Sequence, residues 1–175
     1  MGTDFPLPIL LVQHIEIGAD ENMVRWFNST CSNIKFELAK DEQKAMPGTI
    51  YMAPADTHLK ISSIDSDGLP IMELSHEAEE HFLRPAVNVL FRNAASLYKN
   101  NLLAVLLTGM GRDGAEGCKT IVENGGYTIV EDKSTCIVFG MPAAAIELGA
   151  AKEVLPRTKI PERILNILET SRKNR

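Results

Sequence analysis

Two uninterrupted apolar runs stand out in the pattern of hydrophobic and polar positions along the chain. Residues 9–12 read ILLV and residues 102–107 read LLAVLL. A short continuous apolar run is typical of a parallel strand that is buried on both faces. We therefore predict a strand at each run, and we expect the strand at residues 102–107 to be the most strongly buried of the chain.

Helical periodicity follows these runs. Apolar residues recur at helical spacing over residues 87–98. Asp20 is placed to cap an earlier helix, and Pro142 favours the start of a helix over residues 142–149. Strands and helices that alternate in this way indicate parallel β/α/β units.

The middle of the chain has short strands joined by turns. Residues 34–38 alternate, residues 49–53 form a second strand pattern, and residues 58–64 lead into an Asp67-Gly68 hairpin turn. The predicted fold class is α/β: a mostly parallel sheet with helices on both faces (doubly wound, Rossmann-like) and a small antiparallel hairpin section. No repeat or linker divides the sequence, so we predict a single domain over residues 1–175.

Composition and charge exclude several classes of partner. The chain has 175 residues, a net charge of −5 and 23% charged residues, without the basic stripe that nucleic-acid binding requires. No apolar stretch is long enough to span a bilayer and no signal peptide begins the chain, so we predict no direct membrane insertion. The three cysteines lack the spacing of a disulfide or zinc site. Reduced thiols predict a cytoplasmic location.

The stretch LLTGMGRDGAEG at residues 106–117 carries the candidate chemistry. In open parallel sheets, ligands bind beyond the carboxyl ends of the strands, and His14 and Asp113 both follow predicted strands. A histidine oriented by a carboxylate is two-thirds of a hydrolytic triad, and the Gly109-Met110-Gly111 turn can expose a backbone N–H as an oxyanion donor. The alternative is that both residues have structural roles: His14 lies on the surface and Asp113 only caps a helix.

Two further interpretations compete for this turn and for the histidines. Gly109-x-Gly111-x-x-Gly114 has the spacing of a dinucleotide-binding turn, with Glu131 at a plausible ribose position. Asp113 would then lie beside a pyrophosphate, and this repulsion ranks the interpretation second. A metal site has no ligand spacing to support it among the four histidines of the chain: His14, His58, His76 and His81. We predict no cofactor and no metal.

Several longer segments, taken in order, are more specific. They are VQH at 12–14, MPGTIYMAPADTHL at 46–59, RPAVNVLF at 84–91, LLTGMGRDGAEG at 106–117 and STCIVFGMPAAAIELGAA at 134–151. Their pattern resembles the CheB family, the protein-glutamate methylesterases of bacterial chemotaxis. The resemblance implies that His14 is the general base, that Asp113 orients it and that the backbone N–H of Met110 lines the oxyanion hole. It also implies methyl-accepting chemotaxis receptors as partners, with hydrolysis of their glutamate methyl esters and deamidation of glutamines.

The chain departs from the family where the nucleophile should be. The family's serine lies in a G-x-S-x-G-G turn ahead of the Q-H pair, but here thirteen residues precede His14 and Thr3 is the sole hydroxyl among them. Cys136, in an apolar run, is a poor substitute. We therefore expect an N-terminally short methylesterase domain without a receiver domain, inactive by itself. The alternatives are a catalytically dead paralogue that binds receptors or partners, and an unrelated α/β binding protein. Loss of a core strand also predicts self-association through an exposed sheet edge.

Overall fold

The computed structural model of the chain describes residues 4–173, so Thr3 lies outside the described residues. The chain divides into two compact units, Met1–Leu97 and Tyr98–Arg175. The division falls at the end of the second helix. A single domain over residues 1–175 stays a prediction.

The first unit contains two sheets. Its elements are β1 (Ile9–Leu11), α1 (Asp20–Thr30), β2 (Lys35–Leu38), β3 (Thr49–Met52), β4 (His58–Ile64), β5 (Pro70–Ser75) and α2 (Val87–Tyr98). One sheet has the order β1-β3-β2, and both of its pairs are parallel. The other is the hairpin of β4 and β5, which is antiparallel. Small and apolar side chains form the core of the unit, among them Ala45, Tyr51, Ala53, Leu59, Met72 and Leu90.

The hairpin turn is built as the sequence predicts. One carboxylate oxygen of Asp65 accepts the backbone N–H groups of Asp67 at 2.9 Å and Leu69 at 2.8 Å. Gly68 has φ +81°, a left-handed conformation that glycine adopts without steric cost. The prediction of an antiparallel section is confirmed.

The predicted cap of α1 is wrong by one residue. The helix begins at Asp20 and the N-cap is Ala19, without a side-chain hydrogen bond. The Asp20 carboxylate instead accepts the N–H of Glu21 and the N–H of Ala55, both at 3.0 Å. Asp20 therefore ties the start of the helix to the chain after β3, which a local sequence pattern does not reveal.

The second unit repeats a strand–helix unit. Its elements are β6 (Leu103–Leu106), α3 (Ala115–Glu123), β7 (Tyr127–Glu131), α4 (Met141–Glu147), β8 (Glu153–Leu155) and α5 (Ile160–Lys173). The strand order is β6-β7-β8, with every pair parallel and a helix in each connection. Parallel sheets flanked by helices, together with a small antiparallel hairpin, confirm the predicted fold class.

Burial within this sheet differs from the sequence expectation. In β6 burial alternates: Ala104 and Leu106 are buried, whereas Leu103 and Val105 are partly exposed. The most buried strand is β7, in which residues 128–131 are all inaccessible. Within the described residues the central strand, β7, has a neighbour on each side, whereas β6 pairs only with β7. No helix in the described part of the chain is long and apolar enough to cross a membrane.

Candidate active site

The three predicted site residues lie in two different units. His14 follows β1 in the first unit and is partly exposed. Met110 and Asp113 share the turn between β6 and α3 in the second unit. Asp113 is 4% exposed and Met110 is 84% exposed. The structure thus brings Met110 and Asp113 into one turn, and the pairing of Asp113 with His14 stays a prediction.

A second loop, which directly precedes α4, is hydrogen-bonded to this turn. The N–H of Gly109 donates to the carbonyl of Val138 at 3.1 Å. The Gly109 carbonyl in turn accepts the N–H groups of Gly140 at 3.1 Å and Met141 at 2.9 Å. These bonds hold the two loops side by side at the carboxyl ends of β6 and β7.

The hydroxyl of Thr108 adds three more hydrogen bonds between the loops. It accepts the backbone N–H groups of Ile137 at 3.0 Å and Val138 at 2.8 Å. It also donates to the Val138 carbonyl at 3.1 Å. One side chain therefore satisfies two backbone N–H groups of the neighbouring loop and gives the Val138 carbonyl a second donor beside the Gly109 N–H.

The carboxyl of Glu131 accepts hydrogen bonds from both loops. Glu131 is fully buried at the end of β7. One of its oxygens accepts the Thr108 N–H at 2.8 Å, and the other accepts the Thr135 hydroxyl at 2.9 Å. The dinucleotide interpretation required Glu131 to reach a ribose, so the buried, bonded carboxyl counts against it.

Two glycines make the close contact of the loops possible. A Cβ added to Gly140 would lie 2.8 Å from the Gly109 carbonyl oxygen and 2.9 Å from the Gly111 nitrogen. A Cβ added to Gly109 would lie 2.2 Å from the Met141 sulfur. Real Cβ atoms do not approach so closely, so a side chain at Gly140 requires the loop backbones to move, whereas one at Gly109 requires the Met141 side chain to shift.

Met110 is the middle residue of the turn at residues 109–111. Within the described residues its backbone N–H has no hydrogen-bond acceptor, and its side chain is largely exposed. Gly111, the next residue, has φ +87°, which only glycine adopts readily. The turn therefore presents a backbone donor on a rigid support, which is the requirement for stabilising an oxyanion.

The cysteines of the second unit are poorly suited to act as nucleophiles. Burial raises the pKa of the Cys118 thiol to about 12. Burial also raises the pKa of Cys136, and the nearby Glu131 and Asp132 raise it further. A thiol attacks as its thiolate, so the expectation that Cys136 does not replace the missing serine is supported.

The histidines do not assemble a metal site within the described residues, where no group of three or more possible ligands occurs. His58 is fully buried in the first unit. Its Nε2 lies 3.2 Å from the Ala78 carbonyl oxygen, and its Nδ1 accepts the Ala86 N–H at 3.2 Å. His58 is a core residue whose ring is satisfied by backbone groups.

Comparison with known proteins identifies the family. The sequence model of CheB methylesterases matches residues 1–164. The chain belongs to the CheB methylesterase family. The match includes the segments that carry His14, Met110 and Asp113, so the resemblance inferred from these motifs is confirmed.

Individual relatives agree with this assignment. The chain is 43% identical to protein-glutamate methylesterase/protein-glutamine glutaminase 2 of Paramagnetospirillum magneticum over 95% of its own length and 46% of the relative. It is 39% identical to the corresponding protein of Thermotoga maritima over 94% of its length and 47% of the relative. The chain thus spans about half the length of the curated relatives it matches.

A solved structure gives the same assignment at the level of the fold. The crystal structure of the Thermotoga maritima CheB methylesterase catalytic domain superposes with a TM-score of 0.89 at 38% identity. The match covers 95% of this chain and 87% of that one. The fold of this chain therefore matches that of a CheB catalytic domain.

Sequence reasoning missed the residues that hold the turn. Thr108 and Gly140 lie in the quoted motifs, but no role was assigned to either of them. The sequence suggests Glu131 only as a ribose ligand. An acidic residue that directly continues the buried strand Tyr127–Glu131 was the available signal, because a buried carboxyl needs hydrogen-bond donors nearby.

Proposed function

We propose that this chain carries the general base and the oxyanion donor of a protein-glutamate methylesterase and glutaminase that acts on methyl-accepting chemotaxis receptors. The observation that carries the proposal is the turn at residues 109–111: within the described residues its Met110 N–H has no acceptor, and the buried Asp113 follows in the same connection between β6 and α3. The names of the relatives supply the reaction class. The proposed substrate places the protein in the cytoplasm, where the methylated helices of such receptors lie.

In the proposed reaction a hydroxyl attacks the γ-carbonyl carbon of a glutamate methyl ester. His14 takes the hydroxyl proton, and the negative charge that develops on the carbonyl oxygen is stabilised by the Met110 N–H. His14 then returns the proton to the departing methoxy oxygen, and methanol leaves an acyl-enzyme. Water, deprotonated by His14, then attacks the acyl carbon, and His14 returns this proton to the departing enzyme oxygen, which frees the glutamate side chain and restores the hydroxyl. Asp113 orients the imidazole and stabilises its protonated form.

We propose that the chain by itself turns over no ester, because it has no serine in a glycine-rich turn ahead of His14. Without a nucleophile the general base has no hydroxyl to deprotonate, and no oxyanion forms for the Met110 N–H to stabilise. Removal of a triad member leaves binding and oxyanion stabilisation behind. The expected property of the isolated chain is therefore recognition of the receptor without hydrolysis.

The test compares the chain with a version in which the family's strand and G-x-S-x-G-G turn are fused ahead of Phe5. Methanol released from methylated receptor membranes is measured. We expect release only from the fused version, and we expect His14→Ala in that version to lower the rate by at least about 10²-fold, since a positioned general base contributes this much. His76→Ala is the matched control, because His76 is an exposed histidine of the same unit, and it should leave the rate unchanged.

The second candidate function is a paralogue that binds receptors without cutting them. A fused version that binds receptor cytoplasmic domains and releases no methanol supports this candidate against the enzyme. A fused version with full activity after His14→Ala would show that the site is located elsewhere.

A further inference from the structure

The Met110 N–H and the Gly109 carbonyl belong to the same peptide unit. The bond that joins these two residues is trans. A trans peptide is planar, so its C=O and its N–H point in opposite directions. A contact that fixes the direction of the Gly109 carbonyl therefore also fixes the direction of the Met110 N–H.

Two backbone N–H groups of the loop before α4 fix this carbonyl. Gly140 and Met141 donate to its oxygen at 3.1 Å and 2.9 Å. A carbonyl oxygen has two lone pairs, and two donors restrict rotation of the peptide unit more than a single donor does. The Met110 N–H is thus oriented from the opposite side of its own peptide unit, and its direction depends on where the loop before α4 lies.

Glu131 is the buried side chain that sets the position of this loop against the turn. It is fully buried at the end of β7. One carboxyl oxygen accepts the N–H of Thr108, the residue directly before Gly109, at 2.8 Å. The other oxygen accepts the hydroxyl of Thr135, in the loop that leads to Gly140, at 2.9 Å. One carboxyl group at the end of a strand therefore holds a point on each loop.

The hydroxyl of Thr135 has a defined direction as well. Its oxygen accepts the Arg157 N–H at 2.9 Å, and its proton is directed to Glu131. The hydrogen bonds thus connect the chain segments that follow β6, β7 and β8. Because Glu131 is inaccessible, it does not touch a substrate, and its effect on a reaction passes through the backbone of the two loops.

We propose that Glu131 is a positioning residue for the reaction set out above, and this inference rests on that proposed function. Through its bonds to Thr108 and Thr135, Glu131 holds the two loops in the arrangement that directs the Met110 N–H. An oxyanion donor acts only when it points at the place that the charged oxygen comes to occupy. A displacement of about 1 Å in a site lowers a rate by about 10²-fold. Loss of the Glu131 carboxyl therefore lowers kcat and leaves KM nearly unchanged.

Thr128 provides the comparison with a purely structural role. It is also fully buried, and it lies three residues before Glu131 on β7. Its hydroxyl donates to the Ala150 carbonyl at 2.7 Å and accepts the Lys152 N–H at 3.0 Å. These contacts involve neither the turn nor the loop before α4. Thr128→Val therefore removes buried hydrogen bonds from the same strand without a direct effect on the proposed site.

The first experiment follows amide hydrogen exchange in the intact chain. Glu131→Met nearly keeps the length of the side chain but removes both carboxyl oxygens, so the Thr108 and Gly109 amides should exchange about tenfold faster or more. Glu131→Gln keeps one acceptor oxygen for the Thr108 N–H and should retain slow exchange. Thr128→Val should leave both amides near their wild-type rates. The Ile129 amide, in the middle of β7, corrects each rate for a change in global stability.

The second experiment measures methanol release by the fused version at a temperature where circular dichroism shows every variant to be folded. Glu131→Met should lower kcat by about tenfold or more at a nearly constant KM. Glu131→Gln should recover most of this loss, and Thr128→Val should have the kcat of its parent. Because His14 is unchanged, the pH of half-maximal rate should stay the same in all variants.

The outcomes separate this inference from the proposed function. Equal kcat values in Glu131→Met and Thr128→Val, or unchanged exchange of the Thr108 and Gly109 amides in Glu131→Met, would overturn the role of Glu131. A fused parent that releases no methanol would refute the proposed function instead, and the exchange rates would then decide whether Glu131 holds the turn. If Glu131→Met does not fold, Thr135→Val makes the same comparison from the other loop.

Discussion

Replacement of Gly140 by alanine should separate the two loops that hold the candidate oxyanion turn. The added methyl group would lie 2.8 Å from the Gly109 carbonyl oxygen, 2.9 Å from the Gly111 nitrogen and 3.1 Å from the Gly111 oxygen. All three are backbone atoms, so no flexible side chain can move aside. Gly140 has φ −98°, which alanine also adopts, and the effect is therefore one of space alone.

The expected cost follows from overpacking and from lost hydrogen bonds. Insertion of a methyl group into a close-packed contact costs about 1–3 kcal/mol. Movement of the Gly140 and Met141 N–H groups away from the Gly109 carbonyl, now at 3.1 Å and 2.9 Å, adds to this cost. A loss of this size lowers the Tm of a chain of this length by about 2–12 °C.

Thermal unfolding and amide hydrogen exchange together test this prediction. The Gly109 amide should exchange faster in Gly140→Ala, because its bond to the Val138 carbonyl is strained. Gly149→Ala is a control without crowding, since nothing lies within 4 Å of its added Cβ, although its φ of +64° carries a backbone cost. If Gly140→Ala leaves the Tm and the Gly109 exchange rate at their wild-type values, the loops are not locked as described.

Three further outcomes are expected. Thr108→Val removes the hydroxyl that bridges the loops and should destabilise the chain by about 1–2 kcal/mol, whereas Thr108→Ser, measured in the same urea titration, should retain most of the stability. Arg163 donates hydrogen bonds to Glu153 and lowers the pKa of that carboxylate below its ordinary 4.5. The resulting stabilisation of the fold is present above pH 4.5 and is lost as the pH falls through the lowered pKa. Arg163→Gln should therefore flatten the acid limb of a curve of unfolding free energy against pH. Burial raises the pKa of the Cys118 thiol to about 12, so Cys118 should resist a disulfide reagent at pH 8 until the chain unfolds. The partly exposed Cys31 should react in the native state. Rapid labelling of Cys118 in the native state would contradict its burial.

The strands and helices were predicted well where the local pattern is strong. Residues 58–64 and 87–98 were expected as a strand and a helix, and the structure has His58–Ile64 and Val87–Tyr98. Alternation, helical spacing and an Asp-Gly turn are local signals, so a single sequence contains them. Strand Glu153–Leu155 was missed, because three residues are too short to show a period.

The features that sequence reasoning missed depend on contacts between distant residues. Glu131 bonds to Thr108, which lies 23 positions earlier, and Asp20 bonds to Ala55, 35 positions later. The high burial expected of residues 102–107 was wrong because burial depends on how many strands flank β6. His14, Met110 and Asp113 were selected by their motifs, and their catalytic roles stay proposals.

Asp113 and Met110, in the turn between β6 and α3, are the proposed working part of an esterase site. The most direct measurement is the rate of methanol release by the serine-fused chain carrying Asp113→Asn, with Glu116→Gln as the control from an exposed acid nearby. Loss of the orienting carboxylate should lower kcat by at least about 10²-fold with little change in KM, and Glu116→Gln should change neither. An Asp113→Asn variant that releases methanol at the rate of its parent would show that Asp113 does not orient the general base.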